Sequence, residues 1–411
     1  MTERTEAGFS LADPAFWLRT DREEQFARLR RDLPLTWHDE PSTDWLPEGG
    51  RGFWSLVRHE DVTRVSKDQV TFTSGEGSDI VDLPPDLRKL YGGMLNMDSA
   101  EHARHRAIVN RVLTPRTVEA MAADIDRKAV AAIERVADRG SCDFVHDVAG
   151  DFPAQIIGEL LSVPQADRPH LIELTVASLA TFGTAEGLAS YREILDYARA
   201  LMADVRRAGS AEDNFLGRLL AAEVDGVRMP DDDIAAFFGL LLTAGIETTA
   251  TSIAAGFYGL SLFPDQRRLL QEDFEATART AVEELIRWVS PVHHFRRTAT
   301  RDVELHGQTI RRGDKVVIWY GAANRDESVF DRPHEIDLLR SPNPHVSFGG
   351  GGAHFCLGAV LARKEITIFL RRLFEILPDI EVTGPPTWVH SNIINAMASL
   401  PVSFTPRPAA S

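Results

Sequence analysis

Cysteine is scarce: only Cys142 and Cys356 occur in 411 residues, too few for a disulfide framework or for the thiolates of an iron–sulfur cluster. Pairing the two would consume both, so a reducing, cytoplasmic setting is the simpler expectation. Positive charge is also short, with 45 Lys and Arg against 61 Asp and Glu and a net charge of −16, which argues against a nucleic-acid partner and for a self-repelling soluble chain. The segment from Met1 to Phe9 is polar and lacks an apolar signal, so neither secretion nor a membrane anchor is predicted. Repeats, low-complexity stretches and a linker are missing as well. One domain over residues 11–411 is expected, after a flexible segment 1–10.

One long stretch, Met229 to Gln266, has neither Lys nor Arg and is apolar enough to suggest a membrane span. Glu247 with Thr243, Thr248, Thr249, Thr251 and Ser252 would be costly in lipid, so a helix buried in a large protein is preferred. Pro230 and the acids Asp231, Asp232 and Asp233 mark its start, and Phe263-Pro264 its stop. Such a rod of roughly 50 Å crosses the interior of a protein this size. Three-and-four spacing predicts further helices over Thr117 to Ala137, Asp151 to Ser162, Tyr191 to Ala208, Ala276 to Val289 and Leu357 to Leu377. Strand-like runs are Phe53 to Val57, Val303 to Leu305 and Lys315 to Tyr320. A mainly α protein with small peripheral sheets follows.

The most informative segment is Phe348 to Gly358, where a glycine run delivers Cys356 to the first turn of a helix. Partial positive charge and free N–H groups at a helix N-terminus favour a thiolate, and glycines let backbone lie against a flat macrocycle. A thiolate ligand for haem iron is the chemistry this arrangement offers; a buried structural cysteine beside an ordinary turn is the plainer alternative. In the long helix, Ala244-Gly245-Ile246-Glu247-Thr248-Thr249 concentrates polarity. Small Ala244 and Gly245 leave room beside the helix, and Thr248 can bond back to a carbonyl and open the ladder. A hydroxyl with a carboxylate behind it forms a proton relay.

On these residues the chain resembles the cytochrome P450 superfamily, in the soluble bacterial class. Seven residues separate Phe348 from Cys356, where the usual pattern has six, which resembles the actinobacterial branch that hydroxylates methyl-branched lipids and sterol side chains. The resemblance implies a triangular helical body with the long helix over haem b, whose iron takes Cys356 as axial ligand. It implies Thr248 and Glu247 as the relay, and places Phe348, Gly358, Ala244 and Gly245 around the haem. His102, Arg106 and His354 become propionate partners together with Arg297, or its neighbour Arg296 instead. Asp98 and Glu101 read as a capping box opening the helix that carries His102 and Arg106. Glu284 and Arg287, three apart on one helical face, would join Arg340 in a structural triad, although Glu283 with Arg287 is an alternative surface pair.

Family position assigns the substrate pocket to the loop from Phe72 to Met97, to Phe237, Phe238 and Leu241, to Val292, His293, His294 and Phe295, and to Asn392, Ile393, Ile394 and Asn395. A branched lipid or sterol suits the apolar members. The histidines and asparagines suit a more polar or aromatic natural product. The implied reaction is ferredoxin-dependent oxygenation of a hydrophobic small molecule by a monomer using O2. A separate ferredoxin with its NAD(P)H-dependent reductase supplies electrons, because no flavin or iron–sulfur motif is present, and Arg104, Arg111, Arg116 and Arg363 are candidates for its landing patch. Oxidative coupling and a haem sensor or carrier are the competing functions.

Overall fold

A computed structural model describes residues 7–44, 46–181, 184–209 and 214–407. Of the segment expected to be flexible, residues 1–6 lie outside that range. Ala7 is buried and Phe9 stacks on Phe16 at 4.9 Å, so residues 7–10 belong to the packed body.

The apolar stretch forms one unbroken helix, Asp231–Leu262, with Pro230 at its N-cap and three aspartates in the first turn. It is long and apolar enough to cross a membrane, but most of its most apolar stretch is buried inside the protein. Helices Asp151–Leu160, Ala185–Ala208, Phe274–Val289 and Ala359–Ile376 pack around it. Their inward faces form the main core, in which Phe144, Phe152, Phe257 and Phe369 are fully buried. Each fully buried large apolar side chain contributes about 1.5–3 kcal/mol.

Two helix expectations shift. The run 117–137 divides at Met121 into Pro115–Ala120 and Ala122–Glu134. The helix expected from Tyr191 starts earlier, at Ala185, where the Thr184 hydroxyl accepts from Gly187 N at 3.2 Å.

At the edge of the helical body lies a five-stranded sheet in the order Leu35–His38, Phe53–Leu56, Lys315–Trp319, His294–Ala299, Phe72–Thr73. Only the pairing of Lys315–Trp319 with Phe53–Leu56 is parallel. Strand His294–Ala299 is not among the strand-like runs read from the sequence. Its alternation matters, because it sends the neighbouring guanidiniums of Arg296 and Arg297 to opposite faces.

Candidate active site

The cysteine loop closes on itself: Cys356 N donates to Phe348 O at 2.9 Å and Gly349 N to Val346 O at 2.8 Å. Gly349, Gly350, Gly351 and Gly352 have φ of +107°, +65°, +93° and +82°, a left-handed run that only glycine adopts cheaply. Their packing differs from the expected approach to a macrocycle. A β-carbon on Gly350 would stand 2.7 Å from Ser66 Oγ, and one on Gly352 2.3 Å from Ser66 O. These glycines seat the loop on the end of helix His59–Lys67. Gly358 does stand beside the thiol, since a β-carbon there would lie 3.9 Å from Cys356 Sγ.

The helix after the cysteine starts at Ala359, two residues later than expected. Cys356 is open on one side and crowded by protein on the others, and burial pushes its thiol up. The N–H groups of Gly358 and Ala359 and the charges of Arg106 and Arg363 pull the other way without winning. Burial thus works against the helix terminus at Cys356; a coordinated metal deprotonates such a thiol outright.

In the long helix, Ala244 is exposed and Leu241, Gly245 and Thr248 are half-exposed along one three-and-four stripe, with Leu240, Thr243 and Glu247 half-exposed beside it and Leu242, Ile246 and Thr249 buried. That open face within the core is where a bound group fits. The Thr248 hydroxyl donates to Ala244 O at 2.6 Å while the helix stays continuous, so the expected opening of its ladder is not seen. A β-carbon on Gly245 would meet Ile157 Cδ1 at 2.6 Å, so this glycine makes room for the neighbouring helix and Ala244 is the residue that leaves the face open. Glu247 has no hydrogen-bond or ion-pair partner among the described residues, and burial raises its carboxyl.

Sequence reasoning passed over Glu365, which is buried, pushed well up, and has Thr249 as its one stabilising neighbour while Oε2 goes unpaired. An acid among Leu361, Ile366 and Phe369 on a buried helical face was the available signal.

The donors around this space test whether haem fits. Arg297 is 4 % exposed and, among the described residues, pairs with no carboxylate and donates only to Arg296 O at 2.7 Å. His102 is buried without a hydrogen bond among the described residues and stacks on His354 at 4.2 Å. His354 Nε2 is buried and unpartnered, 3.5 Å from Asp98 Oδ1. Three donors in one place, His102 without a bond, Arg297 with most of its guanidinium free of carboxylates and His354 held only loosely by Asp98, match the carboxylates of haem b. Arg106 reaches across to the cysteine loop, donating to Phe355 O at 2.6 Å. Arg296 is committed elsewhere, at 2.7 Å from Asp82 Oδ1 and 2.8 Å from Glu76 O. The expected capping box is absent: Asp98 makes no side-chain cap and instead accepts from the Thr73 hydroxyl and from Gly75 N.

Behind the cysteine loop, Glu284 and Arg287 are fully buried and joined by two 2.8 Å bonds, with Arg340 Nε at 3.0 Å from Glu284 Oε2. Arg287 also donates to the carbonyls of Asn324, Pro333 and Glu335. Glu283 does not pair with Arg287; it accepts from Arg363 and His345. Arg363 also lies 4.3 Å over the Phe348 ring. Of the arginines expected to form a landing patch, Arg363 is thus spent and Arg111 donates to Glu223 O, whereas Arg104 and Arg116 are exposed without an ion pair among the described residues.

Among the expected pocket residues, Leu241, Val292, Phe295 and Ile394 are half-exposed, with Val292 and Ile394 paired in a bridge. Phe237 is buried, and Phe238 is turned into the core 6.3 Å from Tyr197. His293 stacks on Trp17 at 3.6 Å, and burial keeps it neutral. His294 Nδ1 donates to Asn392 O at 2.9 Å. Asn392 and Asn395 each donate at 2.7 Å, to Ala12 O and Val289 O, and Ile393 O accepts from His293 N. A cleft of about 620 Å³ opens above this region, lined by Ile80, Val81, Leu179, His294, Asn392 and Ile393 among others.

The sequence profile described as Cytochrome P450 matches residues 155–377. A methyl-branched lipid omega-hydroxylase of Mycobacterium tuberculosis is 39 % identical over 97 % of this chain and 95 % of its own length. A steroid C26-monooxygenase of Mycolicibacterium smegmatis is 35 % identical over 98 % and 95 %. A Mycobacterium marinum cytochrome P450 solved in complex with pseudoionone superposes with a TM-score of 0.91 at 36 % identity, covering 98 % of this chain and all of the other, 100 %.

Proposed function

The chain belongs to the cytochrome P450 family, and from that premise we propose that it hydroxylates the end of a methyl-branched lipid or a sterol side chain. It is a haem-thiolate monooxygenase that needs O2, a redox partner and a hydrophobic substrate. Haem held by Cys356 supplies the activation of dioxygen, and the protein supplies position, dryness and protons.

The observation that carries the substrate reading is the commitment of the polar groups. His293 is stacked on Trp17, and Asn392 and Asn395 are bonded to backbone, so what remains on the open face is Leu241, Val292, Phe295 and Ile394. An apolar chain fills such a space without leaving a polar group unpaired. A polar natural product finds no side-chain anchor among these four.

In our reading Thr248 holds a proton at Oγ1 on the open helix face, with Ala244 O fixing the hydroxyl. Glu247, whose carboxyl burial raises, refills it. Electrons come from a ferredoxin and its reductase; exposed Phe355 and Val360 beside Cys356, with unpaired Arg104 and Arg116, suit a small acidic partner. A sensor or carrier has no use for the relay, and oxidative coupling is distinguished by its product.

The test is turnover of sterols and branched lipids with ¹⁸O2. A high-spin shift and a terminally hydroxylated, labelled product are expected, whereas coupled product without label rejects the hydroxylase reading. Thr248→Ala should keep haem yet lower product formed per NAD(P)H by about tenfold or more, with peroxide in its place. Unchanged coupling in that variant rejects the relay.

A further inference from the structure

The mouth of the 620 Å³ cleft carries a charge pattern that the reaction itself does not require. Its walls are largely apolar, with Pro14, Pro41, Ile80, Val81, Leu179 and Ile393. The acids lining it are Asp44 and Asp79, and among the described residues neither Lys nor Arg faces it.

Behind the wall, two buried cations are already neutralised. Lys315 lies 2.5 Å from Glu40 and 2.8 Å from Asp82, and Arg296 lies 2.7 Å from Asp82. Arg296 further spends its guanidinium on the carbonyls of Glu76 and Asp79. Asp44 accepts from Ala185 N at 2.8 Å, at the start of helix Ala185–Ala208. The Asp79 carboxylate is half-buried and accepts no hydrogen bond among the described residues, and the charge it feels from the wall is that of Arg296, already held by Asp82. His294 is neutral, and His390 stands exposed at the rim.

We propose that this mouth selects a lipid whose outer end is a hydroxyl and rejects the free carboxylate of the same chain, with Asp79 as the discriminating group. The inference rests on the lipid reading above and adds to it the chemistry of the end farthest from Cys356. A hydroxyl donates to Asp79 and satisfies an acceptor that otherwise has no partner. A carboxylate brings a third negative charge next to Asp44 and Asp79 with no cation free to receive it. Burial pushes Asp79 up to about 6, so at pH 8 it is ionised and both effects are present.

The experiment titrates the haem-loaded enzyme at pH 8 with three ligands built on one methyl-branched chain: the primary alcohol, the methyl ester and the carboxylic acid. The high-spin shift reports binding, and the reduced carbon-monoxide band reports correct assembly of each variant. The alcohol should bind tightest and the acid about tenfold more weakly. In Asp79→Asn the acid should rise toward the ester while the alcohol loses its advantage over the ester. Equal affinity of acid and alcohol in the unaltered enzyme overturns the mouth proposal alone, as does a ratio that Asp79→Asn leaves unmoved. A series in which no member binds overturns the lipid reading and the mouth proposal with it.

Discussion

Arg296 and Arg297 are adjacent in sequence and opposite in fate, and a strand's alternation is the whole cause. Arg296 enters a buried ionic network with Asp82, while Arg297 faces His102, His354 and Asp98 with no carboxylate of its own. Arg297→Leu should therefore weaken haem retention in gel filtration with little change in folding stability. Arg296→Leu should leave haem affinity nearly intact and cost about 3 kcal/mol, because Asp82 loses a buried partner. The absorbance ratio of haem to protein and the urea midpoint separate the two, and the reverse pattern contradicts the assignment. No sequence pattern at Phe295-Arg296-Arg297-Thr298 decides which guanidinium is spent, since the deciding carboxylate lies far back in the chain. For the same reason the direction of His293, set by Trp17, was illegible, whereas Cys356, Thr248 and Glu284 with Arg287 were legible because their partners are local in sequence.

At the scale of the element, the long helix was readable from Pro230 to Phe263 because its start and stop signals are local and its polar hexapeptide interrupts an apolar run. The glycine loop was readable in position, and a second cause for its glycines was not. Three of its four left-handed residues, Gly350, Gly351 and Gly352, fit against Ser66 and Lys67, a contact visible only once helix His59–Lys67 is placed. Gly307 supplies the control, with φ +73° and open space where a β-carbon would go. Gly307→Ala should cost about 1 kcal/mol for backbone strain alone. Gly352→Ala should cost about 3 kcal/mol or more, since the carbonyl of Ser66 must also move. Equal urea midpoints for the two variants would show that the loop does not depend on that contact.

At the scale of the whole molecule, the helical body and the edge sheet are held by groups whose protonation is fixed by burial. His38 and His294 are buried and held down to about 4, each donating one ring N–H to a carbonyl, of Phe9 and Asn392. The unfolded chain takes up these protons near the ordinary histidine value, so between about pH 6.5 and 4 it binds more protons than the folded chain and stability falls as pH drops. The loss reaches about 3 kcal/mol per histidine at pH 4. Glu283, held down to about 2 chiefly by Arg363 and His345 against the opposing effect of burial, is stabilising above the ordinary carboxylate range and adds its own loss below it. Urea midpoints from pH 7 to 4 should decline steadily, and a flat profile over that window contradicts neutral burial of the two histidines. Fold class was thus readable from local motifs, while the choice between Arg296 and Arg297 and the mouth of the cleft emerged only from contacts between distant segments. The most direct measurement on the central claim is the spectrum of the reduced carbon-monoxide complex of Cys356→Ala beside the unaltered protein: the thiolate assignment predicts a red-shifted Soret band in the latter that disappears in the variant, and an identical band in both contradicts it.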